Sequence, residues 1–358
     1  MRKLHSRISS IVLLIALPAC SSSHLTGDDS ETDYGSQIES ILSDYRTTSI
    51  PGAAVRVIQN GVPVFTGAYG LAEVNSQIQV TPATNFRLAS VTKQFTATSI
   101  LLLVEDGLLS LNTTLPQVFP EFPAYGNGIT VKNLLQHTSG LLAYESLVAD
   151  NVTEQVHDRD VLQMMIEADH TYFPPGTSYR YSNSGYAVLA MMVTKLSGRS
   201  FATFLTERIF EPVGMKNTVA FEAGISTVPN RALGYTVTDG TVVLADQSLY
   251  SAVLGDGGIY SSLDDLTLWD HMQYSDDLLS ADSKELMETP ALESYGFGLR
   301  IDEYRGHRRL HHSGSTSGFR NHMVRFPDLE LTVILLTNRA APVVTPLSQE
   351  IADLFLPR

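Results

Sequence analysis

The chain of 358 residues is poor in cysteine, in tryptophan and in positive charge. It has one cysteine, so no disulfide can form within the chain. Its 24 lysines and arginines face 38 aspartates and glutamates, for a formal net charge of −14, and no long basic run occurs. That pattern argues against a nucleic-acid partner. No stretch of about 18 consecutive apolar residues is present, so no membrane-spanning helix is expected. The ten histidines form no ligand-spaced cluster with carboxylates, and neither a metal nor another cofactor is expected. What is present is the make-up of a globular protein, with 43% hydrophobic and 17% charged residues. The length suffices for one large domain or two packed ones.

The single cysteine is informative by its place. Arg2, Lys3 and Arg7 precede a short apolar run at 11–17, and Leu17-Pro18-Ala19-Cys20 follows. Basic, apolar, then small residues is the order of a secretory signal. The segment resembles the lipobox of bacterial lipoproteins. That resemblance implies a signal peptide over 1–19, lipidation at Cys20, and a lipid anchor that holds the protein on a membrane without spanning it. The expected location is the cell envelope, facing the periplasm; Ser21 is compatible with the outer membrane. Residues 20–35 are polar and acidic and read as a flexible tether.

The longest buried-looking segment is 86–107, FRLASVTKQFTATSILLLVEDG. It is apolar on nearly every side after Phe95, which predicts a central buried helix that stops at Gly107. Ser90 and Lys93 fall three apart in its first turn, on one face. Serine needs a base beside it to act as a nucleophile, and lysine serves as a base only where burial or a nearby cation lowers its pKa. The plainer alternative is a helix-capping serine with a surface lysine. Ser90 is the only serine with lysine three residues on.

Strand patterns lie at both ends of the chain, at 53–58, 62–68, 295–301, 308–312, 319–326 and 331–336, and helical patterns lie between. This predicts an α/β protein of α+β type: an antiparallel sheet flanked by terminal helices, with a mainly helical domain inserted. The expected division is 36–88 with 289–358 for the sheet and 89–288 for the helices, with the site at the seam. Beyond Ser90 and Lys93, acyl transfer needs a proton donor, an oxyanion hole and a substrate clamp. Tyr181 and Asn183, on a turn-rich loop, suit the first and last roles. His312-Ser313-Gly314-Ser315 lies on or just past an expected edge strand, where glycine admits a substrate close to the backbone. The N–H of Ser315 is the candidate partner of the Ser90 N–H in the oxyanion hole. His137 reads as a structural histidine.

Ser90-x-x-Lys93, Tyr181-x-Asn183 and His312-x-Gly314, in that order, resemble the penicillin-recognising serine hydrolases. The nearest group is the class C β-lactamase relatives, with D,D-peptidases, D-aminopeptidases and family VIII-type esterases. Leu134-Leu135-Gln136-His137-Thr138-Ser139-Gly140-Leu141 is similar to a further segment of that family. The resemblance implies a β-lactamase/transpeptidase-like fold and a Ser90 acyl-enzyme formed on a small acyl substrate: an ester, a D-amino-acid amide or peptide, or a β-lactam. It implies proton work shared by Lys93 and Tyr181, with the general base open between them. Asn183, His312, Ser313 and Gly314 are the implied substrate-binding residues. His312 stands where class C β-lactamases usually carry lysine, which points away from efficient β-lactam hydrolysis. A true class C-like β-lactamase and a penicillin-binding sensor without turnover are the other readings.

Overall fold

The computed structural model describes residues 34–357. The expected signal peptide, Cys20 and nearly all of the expected tether lie outside them. The first element, α1 (Tyr34–Ile41), begins two residues before Ser36, so the helix takes in the last two residues assigned to the tether.

β1 (Ala53–Gln59) and β2 (Val62–Tyr69) form a hairpin. Its turn is Asn60-Gly61, both with positive φ (52° and 71°), a conformation that suits glycine and asparagine. The helices that follow include α2 (Lys93–Glu105), α3 (Val131–Leu135), α4 (Asp158–Glu167), α5 (Asn183–Ser197) and α6 (Leu254–Gly257). The chain then returns to strands: β3 (Arg300–Tyr304), β4 (His307–Thr316), β5 (Phe319–Phe326) and β6 (Leu331–Thr337), before α7 (Thr345–Asp353). The six strands make one antiparallel sheet in the order β3-β4-β5-β6-β1-β2. The two ends of the chain therefore meet between β1 and β6, with Val55 opposite Leu335 and Val57 opposite Val333.

Both faces of the centre of this sheet are covered, as the nearly continuous apolar runs of β1 and β6 require. On one face Val55, Val57, Val333 and Leu335 pack with Ile38, Leu42 and Ile351 around α1 and α7. On the other, Ala54, Ile58, Ile334 and Leu336 join the large core of the helical part. Helix α2 runs through that core, and every residue from Lys93 to Leu103 is buried. Phe95 stacks 4.2 Å from Trp269, ring to ring.

Beyond β2 the chain leaves the large sheet: Leu71–Glu73 pairs with Ile78–Gln79, and Phe86–Arg87 pairs with Ile259–Ser261. Short apolar runs carry no record of their partner, so a pairing across about 170 residues was not readable. The strand expected at 295–301 begins only at Arg300, because Gly298 turns the chain (φ 73°) against the Lys93 carbonyl.

Three buried histidines, His137, His312 and His322, and the largely buried His311 give the fold an acid-side weakness. His311 and His322 share a hydrogen bond of 3.1 Å, and His322 bonds Ser348 of α7. Burial pushes His311 down to about 4 and His312 to about 3, and holds His137 and His322 well below the ordinary histidine range. A depressed histidine keeps the folded state neutral while the unfolded chain takes up protons below pH 6.5, so stability is whole above that pH and falls below it. The carboxyls of Asp158, Asp256 and Asp270, all raised by burial, the first two to about 7 and about 6, work in the opposite direction and offset part of that fall. Urea denaturation at pH 7 and pH 5 is expected to show lower stability at pH 5. His322→Asn is expected to reduce that loss.

Candidate active site

Ser90 sits on a short 3-10 turn, Ala89–Thr92, that leads into α2. Ala89 has φ 51°, a strained value for a residue with a side chain. One glycine lets neighbouring chain pack close to this turn: a Cβ on Gly314 would stand 2.0 Å from the Leu88 carbonyl oxygen. The glycine of the His-Ser-Gly segment therefore makes room for the serine turn.

Lys93 is fully buried, which removes the surface-lysine alternative. Its ammonium has three donors and three acceptors: Ser90 Oγ at 3.2 Å, Asn183 Oδ1 at 2.9 Å and the Asp256 carbonyl at 2.8 Å. Asn183 is the first residue of α5, where Ser182 caps the helix by accepting from Gly185 N–H; the sequence pattern had left Asn183 on a loop. Its amide nitrogen donates to Glu145 Oε1 at 2.7 Å. Tyr144 donates from its hydroxyl to Asp256 Oδ2 at 3.1 Å, and burial pushes the Asp256 carboxyl up to about 6. These groups surround a cavity of about 280 Å3, whose walls include Ser90, Asn183, Glu145, Tyr250 and Ser315.

Ser315 reaches the cavity because β3 stops short. Its last pair with β4 is Arg300 with His311, so His312 to Thr316 pair with β5 alone and leave their other edge open. The expected edge character is thus local to this stretch, inside a long strand.

Three expected residues are placed differently. His312 is buried and does not line the cavity. Its Nδ1 lies 2.7 Å from the Ser313 carbonyl, which only accepts, so Nδ1 carries the proton and Nε2 accepts from Tyr295 O–H at 2.9 Å. Burial and the Lys93 charge push its pKa down to about 3. A neutral, fully engaged imidazole cannot clamp a carboxylate. Ser313 and Gly314 also lie off the cavity wall.

Tyr181 does not line the cavity, but its ring lies against Lys93. The Lys93 ammonium is 5.0 Å from its ring centre, and the ring lies 4.3 Å from that of His137. Its hydroxyl is buried without a hydrogen-bond partner. His137 is structural: Nδ1 accepts from Ser182 N–H at 3.0 Å and so holds the segment between Tyr181 and Asn183. Tyr125-Gly126-Asn127 repeats the Tyr-x-Asn pattern, but the Tyr125 hydroxyl donates to the Met165 carbonyl and none of the three lines the cavity.

Glu145 and Asp256 were not singled out from the sequence. Glu145 follows the Leu134–Leu141 segment by four residues and resembles any exposed loop acid. Asp256 contributes mainly its backbone carbonyl, which no residue type signals.

The family model described as Beta-lactamase matches residues 38–355. Penicillin-binding protein 4* of Bacillus subtilis (strain 168) is 33% identical over 307 residues, covering 80% of this chain and 67% of that protein. The chain spans about two thirds of the length of the curated relatives it matches. Among solved structures, the octameric penicillin-binding protein homologue from Pyrococcus abyssi superposes with a TM-score of 0.78 at 25% identity, over 90% of this chain and 76% of that one. D-amino acid amidase from Ochrobactrum anthropi SV3, complexed with L-phenylalanine amide, has the same fold, with a TM-score of 0.77 at 24% identity over 90% and 99%. The chain belongs to the Beta-lactamase family, the serine hydrolases of β-lactamase fold.

Proposed function

We propose that this protein cleaves small amides or esters through a Ser90 acyl-enzyme, and that its preferred acyl group carries a free ammonium, as in a D-amino-acid amide. One observation carries the substrate class: the partly exposed carboxylate on the cavity wall is Glu145, while the wall's Arg87 and Asp256 are buried, Arg87 donating to the Ser251 carbonyl and to Gln247, and His312, in the family's usual cationic place, is buried and neutral. A carboxylate beside the reacting carbonyl attracts an ammonium and disfavours the carboxylate of a penicillin or a peptide C-terminus.

In this reading Lys93 enters the reaction as the neutral amine: Ser90 Oγ attacks the carbonyl, and that amine, 3.2 Å away, takes the Oγ proton. Asn183 and the Asp256 carbonyl orient the lysine. The oxyanion lies between the N–H groups of Ser90 and Ser315. Tyr181 then hands a proton to the leaving group, which asks its hydroxyl to swing toward Ser90 or to work through one water. Such bonds are often loose before substrate arrives. Glu145→Gln keeps the acceptor for Asn183 and removes the charge. It is expected to lower kcat/KM for D-alanine p-nitroanilide by about tenfold to a hundredfold, the worth of a charge-assisted hydrogen bond, and to leave N-acetyl-D-alanine p-nitroanilide unchanged. Equal losses on both substrates would remove the ammonium from the proposal.

We also propose that Cys20 is lipidated and anchors the protein at the periplasmic face of the envelope, on the pattern of residues 2–20. Cys20→Ser is expected to move the protein from the detergent phase to the aqueous phase in a Triton X-114 partition.

A further inference from the structure

A second cavity, of about 540 Å3, borders α6 at its other end. Leu254 lines it, while Asp256 and Gly257 line the cavity of Ser90, and the two cavities share no lining residue. Its volume is that of a small-ligand site. Part of its wall is apolar, from Met191 of α5, Phe201, Phe221 and Leu254. The polar part holds three acidic residues, Glu154, Glu222 and the buried Asp158, beside Gln155, His157, Arg159, Thr194 and Ser200. Arg159, the one arginine there, lies 3.6 Å from Asp160.

This cavity is joined to the catalytic lysine by a short chain of hydrogen bonds. Asp158 accepts from Leu254 N–H at 2.8 Å and from Gly255 N–H at 2.9 Å, and so holds the start of α6. A carboxylate has about four acceptor sites, so each oxygen keeps one. The Gly255 carbonyl accepts from Thr96 of α2, and the next carbonyl, of Asp256, accepts from Lys93. A Cβ on Gly255 would stand 2.4 Å from the Tyr186 carbonyl, so α6 has no slack against α5. Burial raises the Asp158 carboxyl to about 7, and a cation beside it would favour the ionised form.

We propose that the cavity behind α6 binds a small amphiphilic amine, apolar body inward and ammonium toward Asp158, and that its occupancy reaches Lys93 through α6. The proposal is independent of what Ser90 hydrolyses. It is tested by calorimetric titration of the full-length, detergent-solubilised protein with 4-phenylbutylamine. The titration is done in the Glu145→Gln background, so that the catalytic cavity does not compete for the amine. One-to-one saturable binding is expected, with 4-phenylbutan-1-ol at least about tenfold weaker. Met191→Trp, which fills the cavity, is expected to abolish it; Ile225→Trp, at an exposed lip position, is the second blocking variant should the first misfold. Saturating amine is expected to change the rate of penicillin adduct formation by at least about twofold, a change that Asp158→Asn removes. No binding at millimolar amine, or binding that both tryptophan variants leave intact, overturns the site. Equal binding of the alcohol overturns the ammonium class, and binding without a rate change overturns the link to Lys93. If penicillin never labels the protein, the calorimetry still decides the site, and the failure belongs to the acyl-enzyme reading.

Discussion

Ser90→Ala is expected to abolish covalent labelling by a penicillin and to lower turnover of a responsive ester or amide by roughly four to six orders of magnitude. The size follows from the mechanism. Among the described residues no other hydroxyl is held against the Lys93 ammonium, whose remaining acceptors are an amide oxygen and a backbone carbonyl. Without Ser90 Oγ the site can bind and polarise a substrate but has no nucleophile to offer. The measurement is intact-protein mass against time after adding penicillin, beside the parent protein. A parent adduct that persists identifies poor deacylation of β-lactams. One that forms and clears while penicillin is consumed raises the β-lactamase reading. An adduct of the same mass on the Ala variant would place the nucleophile elsewhere.

Lys93→Met is expected to slow the same labelling by about a hundredfold to ten-thousandfold, the usual contribution of a positioned proton-transfer group. Methionine fits the lysine channel in bulk but offers no donor to Asn183 Oδ1 or the Asp256 carbonyl. Each buried acceptor left bare costs about 1–3 kcal/mol, partly offset because a buried charge has also gone. A circular dichroism melt separates the two effects: a folded variant with normal labelling would exclude Lys93 from proton transfer. Lys93→Arg is not expected to rescue, since a planar guanidinium does not fit the three-acceptor arrangement of an ammonium.

Much of this site was legible before any coordinates. Ser90 and Lys93 declared themselves by spacing within an otherwise apolar helix, and that helix is buried as its composition demanded. The antiparallel sheet built from both ends of the chain followed from strand patterns flanking a helical middle. The order of the three motifs pointed to the family that the comparisons support. Other features were not legible, each for a physical reason. His312 reads as a substrate ligand in a motif but is drawn away by Tyr295, a residue seventeen positions earlier that reaches it only through the turn at Gly298. Glu145 looks like any loop acid until Asn183, 38 residues on, holds it to the cavity.

By itself, then, the sequence determined what depends on local order: which segments are buried, which turn at Asn60-Gly61, and which serine has a lysine within reach on its own helix. Those are properties of neighbours a few residues apart, where chain geometry leaves few choices. The tertiary structure alone decided which charge faces the substrate cavity, because that depends on groups brought together from α2, α5, α6 and the loop at Glu145. Burial then settled the charge of each: it left His312 neutral and pushed Asp256 toward neutrality, while Glu145 stands partly exposed at the cavity wall.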